Sequence, residues 1–287
     1  MKKELSPTLP SGAPVVWMHC ESPEDEAGRI GARIAELHES GVPYRDMAIL
    51  YRAHYVTRSI EEVFLRLKLP YVIYSGVQFF ARAEVKDALS YLRLLAYRDD
   101  LSFLRVANVP RRNLGRRRME YLREYAVKNA CSLYDALCRN LDEELFRGTK
   151  ARKLVALVEE LSAGCEERSI AELLSEVLNR SGYEEHLRTE GSQERLDNLA
   201  ELKQSVREYE ETGGEECSLT HYLAHVALFT NSDADTGRDA VKLMTIHAAK
   251  GLEFPQVFLC GLSEGILPSR RTDSPESMEE ERRLAFV

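Results

Sequence analysis

Residues 245–255 read TIHAAKGLEFP, and the apolar run Val241–Ile246 that leads into them predicts a buried β-strand. A second apolar run, Gln256–Cys260, predicts another strand directly after the turn. Gly251, which follows Lys250, permits a close approach of the backbone to a ligand. Ligands of open α/β sheets bind beyond the carboxyl ends of the strands, so this turn lies where a binding site is expected.

Four side chains of different chemistry occupy this turn: Thr245, His247, Lys250 and Glu253. The hydroxyl and the imidazole can hydrogen-bond phosphate oxygens, and the ammonium group adds positive charge. The carboxylate is an acceptor suited to a ribose hydroxyl. The competing interpretation is a helix start beside a strand, with polar residues that are only solvated. The residue types alone leave both interpretations open and slightly favour the second.

The first 76 residues alternate between strand and helix patterns. Apolar runs at Val15–His19, Met47–Tyr51 and Tyr71–Tyr74 predict strands, and the second run is typical of a strand buried on both faces. Ser22 precedes a proline and three acidic residues, which together predict a capped helix start. The order strand–helix–strand–helix–strand predicts a parallel sheet with right-handed crossovers.

From about Glu84 to Leu228 the periodicity is helical and strand patterns are almost absent. Ser169–Glu172 forms a capping-box start, and the polar residues 230–239 predict a linker that returns to the strands. The predicted fold class is therefore α/β, with a parallel-sheet domain interrupted by a large all-helical insertion. The predicted boundaries are residues 1–76 and 239–287 for the α/β domain, and residues 77–238 for the insertion.

The composition is that of a soluble globular protein, with 287 residues, 44% hydrophobic and 30% charged. No apolar run approaches the ~20 residues needed to span a bilayer, and no secretory signal follows Met1. The six cysteines are scattered without metal-ligand spacing, so we expect reduced thiols, no metal site and a cytoplasmic location. A net charge of −8 argues against a protein that coats nucleic acid with its whole surface, but it does not exclude a local basic track.

The stretch at residues 245–254 resembles motif V of the superfamily 1 helicases of the UvrD/PcrA/Rep group. Two further segments agree with that group in order and spacing. ILYRAHYVTRSIEE at residues 49–62 is similar to the segment after motif IV, and MEEERRLAFV at residues 278–287 is similar to the first half of motif VI. The resemblance covers nearly the whole chain and implies a second RecA-like motor domain with a mobile helical subdomain inserted in it.

The resemblance also implies a role for each matching residue. Residues on the single-stranded DNA track, or coupling it to the nucleotide, would be Arg52, His54, Thr245, His247 and Lys250. Glu253, next to Gly251, would face the ribose of ATP. His54 stands where many members of the group have asparagine, and an imidazole there would add sensitivity to pH.

The segment NVPRRNLGRRR at residues 108–118 lies where the group carries a Gly-Ile-Gly-type hairpin that meets duplex phosphates. Asn113 replaces the first glycine, and asparagine tolerates the left-handed backbone that such a turn uses. Clustered arginines fit phosphate contact, whereas the alternative is a solvated helix start. The residues expected at the duplex are Arg111, Arg112, Leu114, Gly115, Arg116 and Arg117.

No phosphate-loop motif and no acidic pair after a hydrophobic strand occur in the chain. Phosphoryl transfer needs a phosphate cradle, a metal site and transition-state arginines together. We therefore expect ATP and Mg²⁺ to be cofactors of the intact enzyme only, bound with a preceding P-loop RecA-like domain, while this chain alone is inactive as an ATPase. The chain stops inside an apolar element, Ala285–Val287, so we expect the natural protein to continue.

The resemblance implies part of an ATP-dependent 3′-to-5′ DNA helicase or translocase in repair, replication or recombination. Its partners would be single-stranded DNA, duplex DNA and repair or replication proteins, without a membrane. One alternative is the same module of a RecB/AddA-like helicase–nuclease, which a downstream nuclease domain would identify. Another is a non-catalytic scaffold that binds DNA or protein, which the absence of any P-loop domain upstream would favour.

Overall fold

The computed structural model describes residues 12–74, 76–212, 217–230, 239–270 and 272–285. Its first half contains α1 (Pro23–Glu39), β1 (Met47–Tyr51), α2 (Thr57–Leu67), β2 (Tyr71–Ile73), α3 (Ala83–Tyr97), α4 (Asp100–Val106), α5 (Arg116–Asn129) and α6 (Leu133–Arg139). Its second half contains α7 (Ala151–Ser162), α8 (Ile170–Arg180), α9 (Tyr183–Thr189), α10 (Gln193–Thr212), α11 (Leu219–Thr230), β3 (Val241–Thr245), β4 (Gln256–Leu259) and α12 (Pro275–Leu284).

The four strands form one parallel sheet in the order β2–β3–β1–β4. Tyr51, the last residue of β1, stands beside Thr245, the last residue of β3. The helical segment leaves the sheet after β2 and returns to its direct neighbour, β3. The predicted α/β class, with a parallel sheet interrupted by a helical insertion, is therefore confirmed.

Local sequence signals position several helices as predicted. The Ser22 hydroxyl accepts a hydrogen bond from the Asp25 amide at the start of α1. Ser169 does the same for the Glu172 amide at the start of α8. Gly182, in the left-handed region at φ 78°, follows the end of α8. Short polar side chains and glycine satisfy the unpaired groups at helix ends, which explains why these boundaries could be predicted.

Two separate hydrophobic clusters lie under these elements. One packs α1 and α2 against the sheet around Ile34, Ile49 and Phe64. The other joins α3 to the remaining helices up to α11, around Leu92 and Leu174. The two clusters support our proposal that residues 1–76 and 239–287 form one domain and residues 77–238 the other. Of the predicted linker at residues 230–239, residues 231–238 lie outside the described residues.

The strand predicted at Val15–His19 is wrong, because these residues form no strand in the structure. Val15 is 96% exposed and Trp17 is 84% exposed, so the segment packs against neither cluster. An apolar, β-branched run favours a strand only where a neighbouring strand accepts its backbone hydrogen bonds. Among the described residues, no strand pairs with this segment.

Two further expectations from the sequence concern the state of the cysteines and membrane-spanning helices. All six cysteines are free thiols, of which Cys165 and Cys260 are buried. Within the ranges given above, none of the helices combines the length and the apolar character needed to cross a bilayer.

Candidate functional site

The carboxyl ends of β1 and β3 open into a cleft of about 1270 Å³. Four of the five residues predicted for the single-stranded DNA track line this cleft: Arg52, His54, Thr245 and His247. Because β1 and β3 are parallel neighbours, side chains that follow the two strands must come together at one edge of the sheet. Residues of α10 and α12 line the opposite side.

Arg52 is held in a bidentate ion pair by Glu281 of α12. Its Nε lies 3.0 Å and 3.2 Å from the two carboxylate oxygens, and its Nη2 lies 2.8 Å from Oε1. The two side chains are 28% and 11% exposed. The hydrogen bonds from Arg52 lower the pKa of Glu281. Burial opposes this effect and the positive charge of Arg52 adds to it, so the pKa stays below its ordinary value. Glu281 is therefore a carboxylate set beside the predicted phosphate contacts.

His54 is half-buried between the cleft and the insertion. Its Nδ1 lies 3.4 Å from the Tyr51 hydroxyl, and a side chain at Gly76 would begin 2.6 Å from its Cε1 atom. Burial, aided by the nearby Arg82 guanidinium, lowers the pKa of His54. The ring is therefore more often neutral near pH 6 than an ordinary histidine, which reduces its value as a cationic phosphate contact.

Arg82, which directly precedes α3, fixes the loop that carries His54. Its Nη2 donates to the His54 carbonyl at 2.8 Å and to the Thr57 hydroxyl at 3.0 Å, and its Nη1 donates to Asn198 of α10 at 2.8 Å. Thr57 also shares a hydrogen bond with the buried Glu61, whose pKa burial raises to about 7. These hydrogen bonds tie the cleft loop to the insertion, a link that no local sequence pattern indicated.

The turn after β3 divides its residues between two surroundings. The Thr245 hydroxyl accepts from the Ala248 amide at 3.2 Å and so closes the turn. Gly251 has φ 84°, a left-handed conformation that L side chains rarely adopt. Lys250, Gly251 and Glu253 are exposed and do not line the cleft. Gly251 and Glu253, which are proposed for ATP, and also Lys250 therefore lie apart from the residues that line the cleft.

The hairpin at residues 108–118 has the turn geometry that its sequence predicts. Asn113 adopts the left-handed conformation with φ 62°, and the Asn108 side chain accepts from the amides of Arg112 and Leu114. Gly115 precedes α5 directly and is exposed. Arg111 and Arg117 are exposed, and the Arg116 side chain is 92% exposed although it pairs with Glu120. The hairpin therefore presents three arginines at a helix start.

Arg112 and Leu114 do not belong to this exposed set, and their prediction as duplex contacts is corrected. Leu114 is 2% exposed and its amide is used by Asn108. Arg112 is 5% exposed and donates to the carbonyls of Val106, at the end of α4, and Ser181, at the end of α8. A guanidinium between two helix carboxyl ends satisfies their free carbonyls and their negative dipole ends. Arg112 therefore shapes the hairpin from inside.

The acidic side of the cleft was not predicted. Glu194, Asp197 and Glu201 of α10 line it, together with Glu280 and Glu281 of α12. The segment at residues 278–287 gave a family resemblance but no sign that Glu281 reaches Arg52. Only the packing of α12 against the strand ends brings these two residues together. Across the described part of the chain, no group of three or more His, Cys, Asp or Glu side chains is arranged to hold a metal ion.

Comparisons with known proteins identify sequences similar to this chain. The family model of the UvrD-like helicase C-terminal domain matches residues 2–287. The chain is 40% identical over 285 residues to DNA helicase II of Escherichia coli (strain K12), covering 95% of this chain and 39% of that protein. It is 36% identical over 291 residues to the ATP-dependent DNA helicase PcrA of Staphylococcus aureus (strain COL), covering 96% of this chain and 39% of that protein.

A third relative gives the same picture. The ATP-dependent DNA helicase PcrA of Staphylococcus epidermidis is 37% identical over 290 residues, again with 96% of this chain and 39% of the relative covered. The chain thus spans about two fifths of the length of these relatives. The resemblance noted from three sequence segments is confirmed over nearly the whole chain. The chain belongs to the UvrD-like helicase C-terminal domain family.

Proposed function

We propose that this chain is the C-terminal motor part of an ATP-dependent 3′-to-5′ DNA helicase or translocase. The observation that carries the proposal is the convergence of Arg52, Thr245 and His247 on one cleft at the carboxyl ends of neighbouring parallel strands. A hydroxyl, an imidazole and a guanidinium are the donors that contact DNA phosphates in a sequence-independent way. The family membership supports the same assignment. Single-stranded DNA is the ligand proposed for this cleft.

The first test is the binding of a fluorescent oligo(dT) strand to the 287-residue chain, followed by anisotropy. Replacing His247 by alanine should weaken binding roughly fivefold, because one hydrogen bond to phosphate is worth about 1 kcal/mol. The matched control is His19→Ala, which removes an exposed histidine outside the cleft. If both variants bind like the unchanged chain, the cleft is not the strand track.

The ATP side of the proposal rests on the exposed turn after β3. Glu253, next to Gly251, would accept a hydrogen bond from the ribose, and ATP would lie between this surface and a preceding P-loop domain. The Mg²⁺ ligands would belong to that preceding domain, beside its phosphate cradle. Closure and opening of the interdomain cleft would then move the strand, with Lys250 and His247 relaying the change.

A consequence of this division is that the purified chain should not hydrolyse ATP, with or without DNA. The phosphate cradle and the metal ligands needed for phosphoryl transfer would both be missing. A coupled assay of phosphate release, with and without oligo(dT), measures this. DNA-stimulated turnover that copurifies with the chain through two columns would contradict the division of the active site between two domains.

We propose that the exposed part of the hairpin binds duplex DNA ahead of the strand track. Arg111, Arg116 and Arg117 supply exposed positive charge, and the amides of Arg116 and Arg117, the first two of α5, have no partner within the helix by its geometry. Anions are favoured at such a helix start, and phosphate contacts of this kind carry no sequence preference.

Replacing Arg111, Arg116 and Arg117 together by alanine should weaken duplex binding and reduce its salt dependence. For each phosphate that the variant no longer neutralises, the slope of log K against log salt should fall by about 0.9. The control removes the same charge from Arg123, Lys128 and Arg139, which are exposed elsewhere on α5 and α6. Equal slopes for the two triple variants would show that the hairpin arginines are only solvated and do not contact duplex phosphates.

A further inference from the structure

The Glu281 carboxylate accepts hydrogen bonds from two of the segments that follow the strands. Arg52, which follows β1, contributes two guanidinium nitrogens, and the Ser269 amide, in the loop after β4, lies 3.3 Å from Oε2. His247, which follows β3, adds to the positive field that lowers the pKa of Glu281. Donors from two strand ends thus hold one carboxylate, and His247, after a third strand, lines the same cleft, although Glu281 itself lies on α12.

This donor set is suited to any oxyanion of similar shape. The planar guanidinium binds carboxylates and phosphates with the same two-pronged geometry, and backbone amides serve both equally. The cluster lines the cleft together with Thr245 and Arg270, so it is reached from the proposed strand track. A carboxylate that fills such a cluster occupies the position in which a backbone phosphate would bind.

We propose that Arg52, the Ser269 amide and His247 form a phosphate site for single-stranded DNA, and that Glu281 fills this site when DNA is absent. The proposal rests on the proposed function of the cleft, and it adds Ser269 and Glu281 to the residues of the track. DNA must displace Glu281 in order to bind, so this carboxylate lowers the affinity for the strand.

The displacement also acts on α12. Ion pairing between Glu281 and Arg52 tethers α12 to the strand ends, together with the hydrogen bond from the Ser269 amide. Strand binding removes that tether, and linkage requires that a released α12 in turn strengthens strand binding. The strand track and the segment that resembles motif VI are therefore coupled through one carboxylate.

The test compares Glu281→Gln with Glu279→Gln in the oligo(dT) binding assay. Both variants remove one negative charge from α12, but Glu279 is paired with Arg282 and does not line the cleft. Glu281→Gln should raise the affinity roughly three- to tenfold because the site no longer holds a competing charge, whereas Glu279→Gln should change it by less than about twofold. In an Arg52→Ala background the two variants should bind alike.

A second measurement separates displacement from a permanent structural ion pair. Deuterium uptake in α12 should rise when oligo(dT) is added to the unchanged chain, and it should already be high in Glu281→Gln without DNA. The proposal is overturned if uptake in α12 does not respond to DNA, or if Glu281→Gln binds like Glu279→Gln or more weakly. If Arg52→Ala also leaves binding unchanged, the proposed strand track itself is wrong, so the two failures are distinguishable.

Discussion

Replacing Arg112 by methionine is expected to lower the free energy of unfolding by about 3–5 kcal/mol, because several buried acceptors would lose their donor at once. The Arg112 guanidinium lies 2.7 Å from the Val106 carbonyl, 3.0 Å from the Val109 carbonyl and 3.1 Å from the Ser181 carbonyl. It also donates to the Tyr91 hydroxyl at 2.7 Å. Methionine fills the volume of the stem but offers no hydrogen to these groups. Urea unfolding followed by circular dichroism measures the loss.

The adjacent Arg111→Met is the matched control for this prediction. Arg111 is exposed, so its replacement should change the free energy of unfolding by less than about 0.5 kcal/mol. In the duplex-binding assay the contrast should reverse, since Arg111 is one of the proposed phosphate contacts. Equal unfolding curves for the two variants would show that Arg112 is not the buried helix cap that the structure describes.

Replacing Arg58 by methionine is the second substitution with a large expected effect. Its side chain is 3% exposed and pairs with Glu24 of α1, Glu62 of α2, and Glu201 and Glu208 of α10. One cation thus pairs with carboxylates from both the α/β domain and the insertion. Removing a partner of buried ion pairs costs about 3–5 kcal/mol, and here it also leaves several carboxylates facing one another. Thermal unfolding and deuterium uptake in α10 measure the effect.

The loss at position 58 should depend on pH in a defined direction. Burial already raises the pKa values of Glu62 and Glu201 above the ordinary carboxyl value, and loss of the Arg58 charge raises them further. A raised carboxyl pKa stabilises the fold while the group is protonated, and that stability is lost as the pH rises through the folded-state pKa. The Arg58→Met variant should therefore lose stability, relative to the unchanged chain, as the pH rises from the ordinary carboxyl range towards neutrality.

The control is Arg66→Met on the same helix. Arg66 is exposed, so its loss should leave both the stability and its pH dependence nearly unchanged. A flat pH profile for Arg58→Met would contradict a shared role of Arg58 among buried carboxylates. A profile that falls with pH in both variants would point to a general charge effect instead.

The secondary structure could be predicted because its signals are local. The helical character of residues 84–228 and the strands β1 to β4 follow from the pattern of apolar residues, and the caps at Ser22 and Ser169 follow from the chemistry of helix ends. The segment at Val15–His19 shows the limit of such signals. It has strand composition, but strand formation depends on a neighbour that composition cannot supply.

The sequence predicted where the candidate site lies, but it did not predict which of its side chains form ion pairs with each other. Since β1 and β3 are parallel neighbours, the residues that follow them had to meet, and Arg52, Thr245 and His247 do line one cleft. What the sequence could not indicate is that Arg52 is already paired with Glu281 across 229 residues of chain. The availability of a cation for DNA depends on such pairing, and pairing is a property of packing.

The hairpin arginines show most clearly the difference between what local sequence determines and what tertiary packing determines. The sequence by itself determined that a left-handed turn at Asn113 leads into a helix rich in arginine, because turn and helix preferences are set by neighbouring residues. Only the tertiary structure decided that Arg111, Arg116 and Arg117 face solvent while Arg112 binds the Ser181 carbonyl 69 residues away. The physical reason is that burying a guanidinium requires acceptors gathered from distant helix ends, and no local pattern encodes where those ends meet.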